Sequence, residues 1–230
     1  MKKGIIYQAV VFDLFGTLID NFSTSEYKSI LSEMAQLLDA PPNLFIQLWF
    51  DTFKKRCIGD FKNVDENISY VCRKLNLNPI ISKIKDAAQI RFSFTQKSIT
   101  PKEEAIETLN YIRHQGLKTA LITDCSIETP TILENTPFKK LFDVCIFSCI
   151  VGVKKPDEKI YEIACSELSI STDKCLYVGD GSSNELFGAE QVGMHPILLQ
   201  DPKEQDAHRI DEEPWHGQKI EKLSELRNYI

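Results

Sequence analysis

Polar residues follow several of the apolar stretches that the sequence predicts as buried strands. Asp13 comes directly after the first stretch, Thr123 and Asp124 end the second, and Asp180 follows the fourth behind a glycine. In open parallel sheets, ligands bind beyond the carboxyl ends of the strands. Carboxylates in that position can act as nucleophiles or as ligands of a cation. We therefore expect the chemistry of this chain at these strand ends.

The elements that must position these residues alternate along the chain. Apolar runs predict strands over 9–12, 118–123, 144–147, 175–178 and 196–199. Helical patterns lie between the later strands, near 127–135, 157–168 and 184–192. This alternation is typical of an α/β fold with a parallel sheet. Residues 200–218 lack any periodicity and predict a long surface loop, followed by a short final helix.

Between the first and second strands the sequence is helical in pattern. Apolar residues at helical spacing predict four helices between residues 20 and 98, which suggests a small helical bundle. The residues TPKE at 100–103 then predict the start of a further helix, with Thr100 as its cap and Gly116 at its end. We predict two domains, one formed by 1–19 with 99–230 and the other by 20–98.

Composition excludes several classes of protein. The 230 residues carry 27 Lys and Arg against 33 Asp and Glu, a net charge of −6 that argues against nucleic-acid binding. The seven cysteines form no CxxC pair, which predicts reduced thiols in the cytoplasm and neither disulfides nor zinc. No apolar run approaches the ~18 residues needed to cross a membrane. We expect a globular cytoplasmic protein whose partner is a small molecule.

Four local patterns, in order, resemble those of the haloacid dehalogenase superfamily. They are VVFDLFGTLID at 10–20, ALITD at 120–124, GVKKPDEKIYEIA at 152–164 and LYVGDGSSNELFGAEQVGM at 176–194. Each falls at a predicted strand end or helix start, so together they form a specific signature. The resemblance implies a Rossmann-like parallel sheet core with an all-helical cap domain inserted after the first motif.

The resemblance also implies roles in phosphoryl transfer, which needs a nucleophile and neutralisation of spread negative charge. Asp13 would be the nucleophile and would form an aspartyl-phosphate intermediate. Mg²⁺ would be held by Asp13, by the backbone carbonyl of Phe15 and by Asp180. Lys155 would bind the substrate and offset charge in the transition state.

Three further positions match the family's pattern, but two of them carry a different residue type from the one common in the family. The Thr123 hydroxyl and the backbone amide of Asp124 would bind phosphate oxygens, whereas the Asp124 carboxylate must be turned away or paired because it would repel a phosphate. Glu185 stands five residues after Asp180, where the family often has an aspartate that orients metal-bound water. The resemblance implies that Glu185 supports the metal site from behind its direct ligands. A role for Glu185 as an ordinary first-turn helix acid is equally open. Taken singly, Asp13 could likewise be a turn residue at a strand end.

Phe15 departs from the phosphatase pattern, which has an aspartate there as general acid and base. Loss of a positioned acid typically lowers the rate by ~10² to 10⁴. The chain could therefore be a phosphatase with another proton source or a substrate that needs none. A metal-independent 2-haloacid dehalogenase using Asp13 and a catalytically weak metabolite-binding relative also stay open, although a retained Asp180 favours a metal.

The sequence leaves the substrate and the oligomeric state undetermined. Lys54, Lys55, Arg56 and Lys62 form a basic run that could face an anionic substrate, but we interpret it as a solvated helix end. Our main hypothesis is a Mg²⁺-dependent phosphatase acting on a small anionic metabolite.

Overall fold

The structure, a computed structural model, describes residues 7–202 and 213–230. Six strands, all parallel to their neighbours, form one sheet in the order β3-β2-β1-β4-β5-β6. The strands are β1 (Ala9–Phe12), β2 (Lys118–Thr123), β3 (Val144–Phe147), β4 (Cys175–Gly179), β5 (His195–Leu199) and β6 (Gln218–Ile220). The five predicted strands are confirmed, two of them one residue longer than predicted.

Strand β6 corrects the prediction of a loop up to residue 218. Its three residues pair with the edge of β5, in a register that places Lys219 opposite Leu198. A strand of this length is too short to show an alternating pattern in the sequence. The predicted loop between 203 and 212 lies outside the described residues.

Both faces of the sheet are covered by helices. In β1, Val10 and Phe12 belong to the apolar cluster under α6, while Ala9 and Val11 belong to the cluster under α9 on the other face. Side chains alternate between the faces of a strand, and a strand buried on both faces is therefore apolar throughout. The helices of this region are α6 (Ala105–His114), α7 (Glu128–Leu133), α8 (Ser148–Val151), α9 (Glu158–Leu168) and α10 (Glu185–Gln191).

The predicted start of α6 is wrong, although its predicted end is right. Thr100 does not cap a helix, because its hydroxyl donates to the carbonyl of Lys97 at 3.0 Å. The chain stays extended beyond it, since the Lys102 amide donates to the carbonyl of Leu18 at 2.9 Å. The helix begins only at Ala105 and ends before Gly116, which has a φ of +82°.

Five helices lie between β1 and α6, and all but the shortest of them contribute side chains to an apolar core of their own. They are α1 (Thr24–Leu37), α2 (Pro42–Asp51), α3 (Phe53–Cys57), α4 (Val64–Lys74) and α5 (Ile81–Ser98). One more helix is present than predicted, because the chain is interrupted at Thr52, whose hydroxyl donates to the carbonyl of Trp49 at 2.7 Å. We call α1–α5 the inserted helices; their status as a separate domain stays a prediction.

All seven cysteines are free, as predicted, and six of them are buried. In the closest pairs, Cys125 with Cys149 and Cys165 with Cys175, the sulfur atoms are 3.7 Å apart, well beyond the ~2.0 Å of a disulfide. Within the described ranges, no helix combines the length and the apolar character needed to cross a membrane.

Leu31 tests the core of the inserted helices, since its side chain is fully buried among them. We expect Leu31→Ala to lower the free energy of unfolding by about 2 to 5 kcal/mol, because it leaves a cavity. Urea unfolding followed by circular dichroism measures this change. Gln36→Ala on the exposed side of the same helix is the control and should have little effect. Equal stability of the two variants would contradict the described packing.

Candidate active site

The strand order brings the predicted acids together. Strand β1 lies between β2 and β4, so Asp13 after β1 is next to Asp180 after β4 and to Thr123 at the end of β2. Carboxylate oxygens of Asp13, Asp180 and Glu185 all lie within 4.8 Å of one another, and all three residues are buried. Asp13 thus meets two acids that lie more than 160 positions later in the chain, and we call these three residues the acid cluster.

Asp13 is held by the backbone and by two side chains. Its amide donates to the carbonyl of Val178 at 2.9 Å, which continues the pairing of β1 with β4. Its carboxylate accepts hydrogen bonds from Lys155 at 2.5 Å and from the Thr17 hydroxyl at 3.3 Å. Burial raises the pKa of Asp13 to about 6, with Lys155 lowering it and the charge of Asp180 raising it.

The loop after β1 closes tightly over Asp180. Gly16 has a φ of +80°, and a Cβ there would lie 2.3 Å from an Asp180 carboxylate oxygen and 2.4 Å from the amide nitrogen of Asn21. The Asn21 amide donates to Asp180 at 2.7 Å, and the Ser182 backbone amide donates to its other oxygen at 3.0 Å. Only glycine permits this close approach with a positive φ.

Lys155 lies between two carboxylates and is almost fully buried. Its ammonium group donates to Asp13 and to Glu185, and it lies 3.4 Å from the Tyr177 hydroxyl. Burial lowers the pKa of Lys155, but the charges of Asp13, Glu185 and Asp124 outweigh burial and hold that pKa well above its usual value. Lys155 therefore stays cationic and offsets one of the negative charges of the acid cluster.

Glu185, the first residue of α10, is fully buried and bound from three sides. It accepts hydrogen bonds from Lys155, from the Tyr177 hydroxyl at 2.8 Å and from the Gly181 amide at 3.0 Å. Burial, followed by the charge of Asp13, raises its pKa well above the usual value. Glu185 therefore contacts Lys155 directly, a contact that the sequence did not indicate.

Thr123 and Asp124 differ in what they offer a ligand. The Thr123 hydroxyl is buried and has no hydrogen-bond partner in the described part of the chain. The Asp124 carboxylate accepts from the Lys155 backbone amide at 3.0 Å and lies 3.5 Å from the Lys154 ammonium. These contacts agree with the expectation that the Asp124 carboxylate is paired. The Thr123 hydroxyl, in contrast, can still donate a hydrogen bond to a ligand.

A cavity of about 90 Å³ adjoins the acid cluster at its junction with the inserted helices. Asp13, Phe15, Asp124 and Lys155 line it, whereas Thr123, Asp180 and Glu185 do not. Five aromatic side chains form much of its wall: Phe15, Phe22, Tyr27, Phe50 and Phe53. A cavity of this volume holds the equivalent of several water molecules, which suits a small ligand.

Two arginines of the inserted helices also line the cavity. The interpretation of residues 54–62 as a solvated helix end holds for the three lysines but is wrong for Arg56, which is buried. Arg91 received no assignment from the sequence and is buried as well. Its position four residues from the buried Ala87 and Thr95 was the available signal, because residues at that spacing share one face of a helix.

The acid cluster fits a hard divalent cation. Its ligand atoms are all oxygens, and Mg²⁺ prefers carboxylate oxygens together with water and phosphate oxygens. Asp180 accepts hydrogen bonds from the Asn21 side-chain amide and from the Ser182 backbone amide, and it lies beside Asp13 within the cluster. A cation between Asp13 and Asp180 would relieve the repulsion that raises the pKa of Asp13.

Comparison with known proteins gives a family match over most of the chain. A family model described as haloacid dehalogenase-like hydrolase matches residues 7–193. An (S)-2-haloacid dehalogenase of Pseudomonas fluorescens is 24% identical over 97% of this chain and 96% of its own. A glyceraldehyde 3-phosphate phosphatase of Pyrococcus furiosus is 27% identical over 83% of this chain and 79% of its own.

Solved structures with the same fold include both types of enzyme. A HAD phosphatase from Thermococcus onnurineus superposes with a TM-score of 0.66 at 20% identity, covering 96% of both chains. The L-2-haloacid dehalogenase of Xanthobacter autotrophicus with covalently bound chloropropionic acid gives 0.64 at 19% identity, covering 97% of this chain and 98% of its own. These structures show that the fold is shared, while the family match over residues 7–193 identifies the chain as a hydrolase. The type of reaction has to be argued from the site.

Lys155→Met tests the electrostatics of Asp13. Because Lys155 lowers the pKa of Asp13, its removal should raise that pKa above the present value of about 6. It should also lower the free energy of unfolding by about 3 to 5 kcal/mol, since buried carboxylates lose their cation. Carbon NMR of the Asp13 carboxyl in metal-free protein measures the pKa.

The matched control is Lys154→Met, because Lys154 lies beside Asp124. An Asp13 pKa that is the same in the Lys155 variant as in the wild type would contradict the described contact.

Proposed function

The chain belongs to the haloacid dehalogenase-like hydrolases, and within that family we propose that it is a Mg²⁺-dependent phosphatase of a small anionic metabolite. The observation that carries the proposal is the Asp180 carboxylate beside Asp13. Its charge raises the pKa of Asp13 and so disfavours the ionised nucleophile. In a metal-free site, a second buried carboxylate beside the nucleophile adds only repulsion between two negative charges. In a metal site, the same carboxylate serves as a ligand of the cation.

In this proposal, Asp13 attacks phosphorus. A bond forms between an Asp13 oxygen and phosphorus while the bond to the leaving oxygen breaks, and water then hydrolyses the aspartyl-phosphate to release phosphate. Lys155 offsets negative charge on the phosphoryl oxygens while Glu185 and Tyr177 hold its ammonium group in place. The Thr123 hydroxyl donates to a phosphate oxygen, as does the backbone amide of Asp124.

Bound Mg²⁺ would be held by Asp13, Asp180 and the backbone carbonyl of Phe15. It would supply the charge neutralisation that phosphoryl transfer requires. Glu185 then acts on the metal site only through its neighbours, since its carboxylate is occupied by Lys155, Tyr177 and Gly181. The inserted helices would form the cap that encloses the substrate, and the free thiols support a cytoplasmic location.

The leaving group is the point at which Phe15 matters. Its phenyl ring lines the cavity where phosphatases of this kind have a proton donor. Among the described residues that line the cavity, Asp13 and Asp124 are the two carboxylic acids. One Asp124 oxygen accepts a hydrogen bond from the Lys155 backbone amide and the other lies near the Lys154 ammonium, so Asp124 is poorly placed to give up a proton. We infer that the natural leaving group departs without a proton from the protein, as an acidic leaving group can.

Metal-independent dehalogenation is the second candidate, because a halide also departs without a proton. Phe15 favours it, and dehalogenases are among the similar proteins. Asp13 would then attack carbon, releasing halide and forming an ester that water hydrolyses. Without a metal, the charge of Asp180 disfavours an ionised Asp13, which is why phosphate release is the preferred proposal. A weakly catalytic metabolite-binding protein is the third outcome that the experiments must separate.

The first experiment compares two reactions with and without Mg²⁺. We expect Mg²⁺-stimulated phosphate release from an aryl phosphate, abolished by EDTA, and no chloride release from 2-chloropropionate. Asp13→Asn should remove turnover to background, because the nucleophile is lost. The exposed Asp60→Asn is the control and should retain full activity. Metal-indifferent chloride release would establish the dehalogenase instead, and the absence of both reactions would support a binding protein.

The second experiment restores the missing acid with Phe15→Asp. On an alkyl phosphate, whose leaving group needs a proton, we expect kcat to rise by up to ~10² to 10⁴. On an aryl phosphate with an acidic leaving group, the gain should be small. Phe15→Asn is the matched control, since the asparagine side chain has nearly the shape of aspartate but no carboxylic acid. Equal gains on both substrates, or none on the alkyl phosphate, would mean that the wild type already has a proton source.

A further inference from the structure

Arg91 is a buried cation whose donors are only partly used. Its side chain is 4% exposed, and Nη2 lies 3.3 Å from a carboxylate oxygen of Glu128 on α7. The guanidinium lies over the rings of Tyr27 and Phe22, 5.1 and 5.4 Å from their centroids. Its Nε and Nη1 are buried without a hydrogen-bond partner. Unused buried donors are costly in a folded protein unless a ligand accepts from them.

Arg56 lines the same cavity and is also buried. Its Nη1 donates to neutral acceptors, the Trp49 carbonyl and the Thr52 hydroxyl, both at 2.5 Å, and its guanidinium stacks 4.7 Å from the Trp49 ring. In the described part of the chain, no carboxylate lies within ion-pair distance of it. Burial lowers the pKa of Arg56, and the nearby charge of Arg91 adds to that effect.

The charges at this end of the cavity do not balance. Glu128 is the acid that pairs with Arg91, whereas Asp124 faces Lys154 and Asp13 faces Lys155. Among the described residues, Arg91 therefore has a carboxylate partner and Arg56 has none, which leaves one positive charge in a buried, aromatic environment. Guanidinium groups remain protonated in proteins, so a bound anion is the means by which this charge can be balanced.

We propose that Arg56 and Arg91 bind a carboxylate at the far end of the substrate, so that the substrate is a small phosphorylated carboxylic acid. A carboxylate carries the single negative charge that the pair lacks, and its planar oxygens match the fork of a guanidinium. The aromatic side chains Phe15, Phe22 and Phe53 line the cavity and suit an apolar middle part of the substrate.

This inference rests on the proposed attack of Asp13 on phosphorus, and it adds the substrate class. It also assigns the arginines to specificity, since they touch the end of the substrate that does not react. Binding energy from such a remote group favours substrates that carry it over those that lack it. Phosphate esters without a carboxylate should therefore be poor substrates.

The test measures equilibrium binding of stable phosphonates by calorimetry in the presence of Mg²⁺. Three probes carry a carboxylate at increasing distance: phosphonoacetate, 3-phosphonopropionate and 4-phosphonobutyrate. Their partners of equal length are ethyl-, propyl- and butylphosphonate. We expect at least one carboxylate probe to bind tenfold or more tightly than its partner.

Two variants assign the difference to the arginines. Arg91→Met and Arg56→Met should each bring that ratio close to one while leaving alkylphosphonate affinity nearly unchanged. Because Arg91→Met leaves Glu128 unpaired, the double variant Arg91→Met with Glu128→Gln keeps the test valid if the single variant fails to fold. The exposed Arg73→Met on α4 is the control and should retain the wild-type ratio.

The outcomes separate this proposal from the phosphatase proposal. Equal binding of both members of every pair would overturn the carboxylate site while leaving the phosphatase intact. A tenfold ratio that persists in both arginine variants would also overturn it, since another group would then bind the carboxylate. Failure of all six probes to bind, together with absent phosphate release, would count against both proposals.

Discussion

The contact of buried Lys155 with two buried carboxylates is the interaction on which the site depends. Asp13, Asp180 and Glu185 lie within 4.8 Å of one another, and without a cation their mutual repulsion would oppose folding. Lys155 balances one of these charges through Asp13 and Glu185. Asp180 adds a further carboxylate beside Asp13, and its charge raises the pKa of Asp13. We propose that a divalent cation held there offsets this charge.

The sheet makes this arrangement possible through its order. Because β1 has β2 and β4 as its neighbours, three separate segments of the chain end at one edge. Strands β1, β2 and β4 contribute side chains to the apolar clusters on both faces of the sheet, so their positions depend on packing against α6 and α9. The inserted helices then bring Arg56 and Arg91 towards the same cavity from the opposite side. The reactive groups that we propose and the recognition groups that we propose therefore come from different parts of the molecule.

Sequence patterns predicted most of the core and only part of the cavity. Continuous apolar runs such as 9–12 located the strands, and the residues after them located Asp13 and Asp180. Strand β6 was missed because three residues carry no period. The burial of Arg56 was missed because a basic run looks solvated until the tertiary contact with Trp49 is known. The contacts of Glu185 were equally inaccessible, since they depend on Tyr177 and Lys155 meeting in space.

The central claim is that Asp13 attacks phosphorus in a reaction that depends on a metal held beside Asp180. It is tested most directly by mass mapping of the peptide containing Asp13 after acid quench during turnover of a phosphate ester. With Mg²⁺ present, we expect a phosphoryl group on Asp13 that is absent when EDTA removes the metal. A carbon ester on Asp13 formed from a haloacid regardless of metal, with no phosphoryl adduct, would contradict it.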